Sequence, residues 1–406
     1  MYEDKLKKYA GLFKIILLVG ARQVGKSTLL TKLFPHIKIF VFDPIQDLFN
    51  ARNKPDYFLK DFKAPLILDE IQYAPELLPS LKRKVDVSDD NGQYFLTGSS
   101  QLSILKTVAE SLAGRVVIIP IAPMTPQEMY DDCQLDQNWF LDYIKNPDTF
   151  YVDRSTFMQN LPTRLETILR GGMPGTITLP EEVLSSYFSS YVQTYVERDV
   201  RLIENIGDLG TFSQFLGLVA ALTSQEINYS QLGREVGITP KTAQRWLQLL
   251  KSTYQWHELP AFHMNAIKRL SQKPKGILAD SGIACYLQLI SSPEALAKSM
   301  LGSAMFETYC FNMIKGLCAS LPIMPNFYHW RTIAGAEVDF ILEIDGKFYP
   351  IEIKSASTIS KHDVRGIETF RDTYPHLNIQ MGVIIYGGDH CQQISEHVIA
   401  VPWNLR

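Results

Sequence analysis

The stretch Gly20-Ala21-Arg22-Gln23-Val24-Gly25-Lys26-Ser27 constrains this chain more than any other, because it fills every fixed position of the GxxxxGK[ST] pattern. The apolar run Ile15–Val19 precedes it and a helix-like segment follows, which is the strand–loop–helix setting the pattern requires. Glycines let backbone N–H groups curl around phosphate oxygens, and the following helix presents its positive end. The spacing puts Gly20, Ala21, Arg22, Gln23, Val24, Gly25, Lys26, Ser27 and Thr28 around a nucleotide. Lys26 is expected to bridge the β- and γ-phosphates and Ser27 to coordinate Mg²⁺, so ATP and Mg²⁺ are the implied cofactors.

A matching acidic half lies at Pro65-Leu66-Ile67-Leu68-Asp69-Glu70, an apolar strand ending in two carboxylates. Asp69 is expected to hold Mg²⁺ through water, and Glu70 to orient the water that attacks the γ-phosphate. The next strand, Tyr94–Leu96, runs into Thr97-Gly98-Ser99-Ser100. Ser99 or Ser100 is placed either to meet the γ-phosphate or the attacking water, or to cap the segment that starts near Leu102. Arg115 precedes the run Val116–Ile119 and has two readings, an arginine finger reaching a neighbouring subunit or a pin at the sheet edge. The short unalternating runs at 15–19, 37–42, 66–68, 94–96 and 116–119 suit parallel strands buried on both faces, hence an α/β core.

A chain of 406 residues exceeds one ordinary core. The sequence divides into 1–122, a P-loop core; 123–223, a helical linker or lid; 224–290, a winged-helix-like unit; and 291–406, an α/β tail. A net charge of −3 gives no global reason to expect nucleic-acid binding, so any basic surface is local. Five scattered cysteines without a CxxC pair argue against a disulfide framework or a zinc site and fit a reducing cytosol. Ile15–Val19 falls far short of the ~20 residues that span a bilayer. The expected location is cytoplasmic, with no membrane partner.

Within 123–223, Ser185–Ile203 reads as a helix whose Tyr187, Phe188, Tyr191 and Tyr195 form a packing stripe. In 224–290, Ser230 is a candidate cap for a short helix, and Thr239-Pro240 opens the next. There Ala243, Trp246, Leu247 and Leu250 recur at helical spacing, leaving Lys241, Gln244, Arg245 and Gln248 outward. Lys268, Arg269, Lys273 and Lys275 crowd a stretch that reads as a wing. With Lys241, Gln244 and Arg245 they form the candidate DNA contact, weighed against a protein-binding surface merely solvated by lysines.

The tail begins with a helix over Glu294–Leu317 and continues in strands at 326–331, 336–343, 347–353 and 380–386. Asp339 stands thirteen residues before Glu352-Ile353-Lys354, the D…ExK spacing of the PD-(D/E)xK nucleases. Alternation puts Glu352 and Lys354 on one face of a strand. Asp339 and Glu352 are then candidate Mg²⁺ ligands, Lys354 the residue that steadies water or phosphorane charge, and Glu307 a further acidic ligand. Glu337 shares a face with Asp339. A charged hairpin that keeps this fold without its chemistry remains the alternative.

The wording "ARQVGKST", "LILDEIQ", "LTGSSQ" and "SLAGR" resembles the prokaryotic AAA+-related ATPases. With "TYVERDV" and "GAEVDFIL…YPIEIKSA", it is similar to the group fused to a carboxy-terminal domain of unknown function. The resemblance implies a P-loop core, a winged helix and a restriction-endonuclease-like tail. A serine stands where many AAA+ proteins carry asparagine. Two functions follow as expectations. One is ATP hydrolysis coupled to DNA binding and, with an active tail, DNA cleavage. The other is a nucleotide switch or scaffold that binds a protein partner. A homo-oligomer is implied if Arg115 acts in trans.

Overall fold

The computed structural model describes residues 2–99, 108, 111–130, 138–150, 158, 161–196, 208–265, 267, 269 and 272–405. The chain forms two compact units. The first is Met1–Ala122 with Gln193–Asn205 and Gln248–Gln255; the second is Pro123–Val192, Ile206–Leu247 and Trp256–Arg406. No helix among the described residues is long and apolar enough to cross a membrane.

In the first unit β1 (Ile15–Val19), β2 (Lys38–Val41), β3 (Leu66–Asp69), β4 (Tyr94–Gly98) and β5 (Val116–Pro120) form one sheet in the order β2-β3-β4-β1-β5. Every pairing is parallel. Strands β1, β3 and β4 are buried along their whole length, which is why they read as apolar runs without alternation. Each large aliphatic side chain so buried contributes about 1.5–3 kcal/mol relative to exposure. On one face Leu17, Leu66, Leu68 and Leu96 pack with Phe40, Phe58, Leu77 and Leu81 in a single cluster.

The second unit opens with helices. Thr163 and Glu166 close a capping box over Arg164–Arg170. The expected helix from Ser185 is observed as Leu184–Tyr191 running into a π-helical turn over Val192–Val196. Its continuation to Ile203 lies outside the described residues. Next along the chain come Leu209–Ala221, β6 (Gln225–Glu226), Tyr229–Glu235, Pro240–Ser252, whose residues from Gln248 on belong to the first unit, β7 (Trp256–Leu259) and β8 (Lys275–Leu278). These three strands form an antiparallel sheet in the order β6-β8-β7. Asn228, not Ser230, caps the first of the two short helices, because its side-chain carbonyl accepts from the amides of Ser230 and Gln231. Trp246 is buried edge-on against Phe212 and Phe215.

The long helix expected over Glu294–Leu317 is two, Pro293–Lys298 and Gly302–Leu317. The break falls at Ser299, which takes an extended conformation and cannot continue the ladder. Strands β9 (Asn326–Arg331), β10 (Glu337–Ile344), β11 (Lys347–Lys354), β12 (Asn378–Ile379), β13 (Gly382–Tyr386), β14 (Gln392–Ser395) and β15 (Val398–Pro402) follow. They assemble as β14-β15-β13-β11-β10-β9, with β12 on β11. The sequence reading missed β12, β14 and β15. Asp345 and Gly346, both with positive φ, make the two-residue turn between β10 and β11 and fix Ile344 opposite Lys347.

The helix Arg365–Thr373 lies on β10 through Gly366. A Cβ there would stand 1.9 Å from the Glu337 carbonyl oxygen, a backbone atom that cannot step aside. Gly366→Ala is therefore expected to destabilise the tail by about 1–3 kcal/mol, read as a lower thermal or urea midpoint.

Candidate functional site

The strand order decides where the chemistry of the first unit sits. Parallel strands bring their carboxyl ends to one edge, and there the loop after β1, the acidic end of β3 and the small residues ending β4 converge. Gly20 (φ 155°) and Gly25 (φ 92°) take backbone conformations that L side chains rarely adopt. A Cβ on Gly20 would also lie 2.3 Å from the Ile121 carbonyl oxygen. Lys26 is buried at the start of the helix Lys26–Leu33. Its ammonium donates to the Gly20 and Ala21 carbonyls at 3.0 and 2.7 Å, so it lies inside the curl of the loop.

Ser27 Oγ donates to Asp69 Oδ1 at 2.5 Å, across forty-two residues of chain. Thr97 Oγ1 donates to the same oxygen and accepts the backbone N–H of Glu70 at 3.0 Å. Thr97 belongs to β4, which the topology inserts between β1 and β3, and it is fully buried. Glu70 has a left-handed backbone (φ 56°), a strained conformation for its residue type, held by that amide contact. Gln72 Nε2 donates to Glu70 Oε2 and, at 3.1 Å, to Ser99 Oγ. Ser99 Oγ in turn lies 3.3 Å from the same carboxylate oxygen.

Of the two candidate serines, Ser99 therefore meets Glu70, while Ser100 lies outside the described residues. Thr97 and Gln72 escaped the sequence reading. Thr97 had a signal, since it shares a strand face with Ser99, two positions on; Gln72 had none. Arg22 donates to the Tyr73 hydroxyl at 2.7 Å. Arg115 grips Asp86 with Nε and Nη2, which holds its guanidinium above its ordinary pKa, and donates from Nη1 to the Ala113 carbonyl.

The tail gathers its expected residues. Ile353 N–H donates to Asp339 Oδ2 at 2.9 Å, and Asp339 N–H to Glu352 Oε2 at 3.3 Å. Lys354 donates to Glu352 Oε1 at 2.6 Å. Glu307 joins them from the helix Gly302–Leu317, through the Lys275 ammonium that it shares with Asp339. Burial pushes the Glu307 carboxyl up to about 8 and that of Glu352 well above the usual range. Burial alone would lower Lys275; the Asp339 and Glu307 carboxylates outweigh it and raise it.

The Lys275 ammonium turns inward, to Glu307 and Asp339. Glu307, Asp339 and Glu352 do not meet as a metal cage, and among the described residues no three of His, Cys, Asp and Glu do. Arg269 is spent on the Tyr328 hydroxyl and the His263 carbonyl, so it too is tied locally. Lys268 lies outside the described residues. Lys241, Gln244, Arg245 and Lys273 are exposed. Glu337 is exposed and pairs with Arg331 at 3.7 Å.

Residues 12–130 match the family described as an AAA domain. That match spans the five-stranded parallel sheet and the loop Gly20–Ser27. Residues 163–294 and 303–405 match two domains of unknown function, DUF8612 and DUF4143. An uncharacterized protein of Mycobacterium tuberculosis is 26% identical over 392 residues, 96% of this chain and 80% of that protein. An uncharacterized protein of Methanocaldococcus jannaschii is 24% identical over 99% of this chain and 86% of its own length. Among solved structures, a Walker-type ATPase of Pyrococcus abyssi is similar at TM-score 0.40 and 17% identity, over 70% of this chain and 94% of that one. The Thermotoga maritima RuvB Holliday junction branch migration motor is similar at 0.31 and 15%, over 66% and 93%.

Gln72 bridges the Glu70 carboxylate and the Ser99 hydroxyl. Gln72→Ala is expected to lower ATP turnover about tenfold, a fraction of the roughly 10²–10⁴ that a positioned base supplies. Nucleotide affinity should not move; equal losses in both, measured by steady-state kinetics and nucleotide titration, would mark a merely structural residue.

Proposed function

We propose that this chain is a Mg²⁺-dependent ATP hydrolase whose nucleotide state is coupled to DNA contact through the segment 224–290. The observation that carries the first part is the Ser27–Asp69 hydrogen bond, with Glu70 held by Thr97 and Gln72 beside it. A hydroxyl and a carboxylate are hard oxygen donors that suit Mg²⁺, which would neutralise the phosphate charge when bound. In the proposed reaction Lys26 leaves the loop carbonyls for the β- and γ-phosphates. Glu70 accepts a proton from the attacking water, whose oxygen bonds to the γ-phosphorus as the bond to the bridging oxygen breaks. Ser99 would hold that water or a γ-phosphate oxygen. Arg115 is the candidate for a trans contact in a homo-oligomer, and Asp86 would have to release it.

The helix–strand–helix–helix–strand–strand order of Leu209–Leu278 supports a winged-helix reading of the second part. Lys241, Gln244 and Arg245 present an exposed polar and basic face on the second of its two short-spaced helices. Cleavage would require Asp339, Glu352 and Lys354 to work with a divalent metal that their present partners do not favour. The tail therefore enters the proposal as a binding unit, and a protein partner there is the second reading.

Two sets of variants test this. Glu70→Gln is expected to keep ATP affinity and to lose turnover by about 10²-fold or more, since an amide is a poor base. Lys26→Ala should weaken binding itself. Wild-type turnover in Glu70→Gln, measured as phosphate release, would remove Glu70 from the role. Separately, Lys241→Ala with Arg245→Ala should weaken duplex DNA binding and reduce the salt slope of log K by about one per lost phosphate contact. Unchanged affinity and slope in a fluorescence-anisotropy titration would favour the protein-contact reading.

A further inference from the structure

Lys275 starts β8, more than thirty residues before Glu307 and sixty before Asp339, yet its ammonium sits between their carboxylates at 2.6 and 3.0 Å. The side chain is largely buried, and its ammonium lies 5.5 Å from the Phe340 ring centroid. A polar cleft of about 370 Å³ opens beside it, lined by Glu226, Glu307, His329, Arg331, Glu337 and Asp339 among others. Solvent ions therefore have a route to the cluster. Asp339 Oδ2 is committed to the Ile353 amide, and the Glu352 oxygens to Lys354 and the Asp339 amide. The ammonium holds the remaining Asp339 oxygen, Oδ1, together with Glu307 Oε1.

A divalent ion at this place would need several oxygen ligands at about 2.0–2.6 Å, in the space that the ammonium fills. It would also strand a buried lysine without a counter-ion, a costly arrangement in a low-dielectric site. We propose that Lys275 is the resident cation of the Glu307–Asp339–Glu352 cluster, standing where the D…ExK spacing leads one to expect a metal. In this arrangement the tail excludes a divalent ion, and the same contact pins β8 to the tail. The lysine is intramolecular, so it competes with dissolved ions at a high effective concentration.

The test uses the full chain in a Lys26→Ala background without nucleotide, so that no nucleotide-held metal contributes, and any Mn²⁺ held by Ser27 and Asp69 is common to every variant and is subtracted. Mn²⁺ is the probe, followed by electron paramagnetic resonance and by its effect on the melting midpoint. Lys275→Gln is expected to gain one Mn²⁺ site, to lose it again with Asp339→Asn added, and to melt lower unless Mn²⁺ is supplied. The chain that keeps Lys275 should show no site in the cluster and a midpoint that Mn²⁺ leaves in place. Binding in that chain that Asp339→Asn abolishes would overturn the proposal, as would a folded Lys275→Gln chain with no Mn²⁺ site. If Lys275→Gln does not fold, the neutral triple Lys275→Met, Glu307→Gln, Asp339→Asn should restore folding, because the defect would be uncompensated charge. A triple that also fails to fold would show that the lysine serves packing and not charge, and would sink the idea.

Discussion

A parallel sheet sends every strand's carboxyl end to the same edge, and the first unit depends on that constraint. Because β4 is threaded between β1 and β3, its Thr97 and Ser99 stand between the phosphate loop and Asp69-Glu70. One threonine hydroxyl then joins Asp69 to the Glu70 amide, and one serine hydroxyl reaches the Glu70 carboxylate. The strained backbone of Glu70 persists because neighbours on two sides hold it. The arrangement at this sheet edge is thus a property of strand order first and of individual side chains second.

What could be read in the sequence was what local spacing encodes. The loop from Gly20 to Ser27 and the Asp69-Glu70 strand end carry their geometry within a few residues, and the buried strands β1, β3 and β4 announce themselves by unbroken apolar runs, whereas β2 and β5, expected to be buried on both faces, are partly exposed. The outward set Lys241, Gln244 and Arg245 was equally plain, because helical period separates it from Ala243, Trp246 and Leu247. Partners chosen across long stretches of chain were not readable. Lys275 looks like one more basic residue of a lysine-rich loop until the fold sets Glu307 and Asp339 against it. Gln72 is an ordinary polar residue after a strand until Ser99 arrives from β4. Asn228 outcompeted Ser230 as a cap because two amides lay within reach of its carbonyl, a matter of position that composition alone does not settle.

In the tail the D…ExK spacing is met, and its carboxylates are paired with lysines. The two-residue turn at Asp345-Gly346 sets the register that brings Asp339 to Glu352, as the D…ExK pattern anticipates. Two ammonium groups offset two of the three carboxylate charges in this buried site: Lys354 on one carboxylate and Lys275 shared between the other two. Burial raises Glu307 and Glu352 toward their neutral forms, the other means by which a buried acidic cluster relieves its charge.

The ion pair also bears on how divisible the chain is. Lys275 falls within the stretch that matches one domain of unknown function, 163–294, while Glu307 and Asp339 fall within the other, 303–405. A seam drawn between those matches looks like a natural place to exchange parts among relatives. A tail transplanted at that seam would arrive with its carboxylates and without their counter-ion, so its new host would have to offer a lysine at the matching place. Two segments that are separately recognisable by sequence are in this respect one electrostatic object.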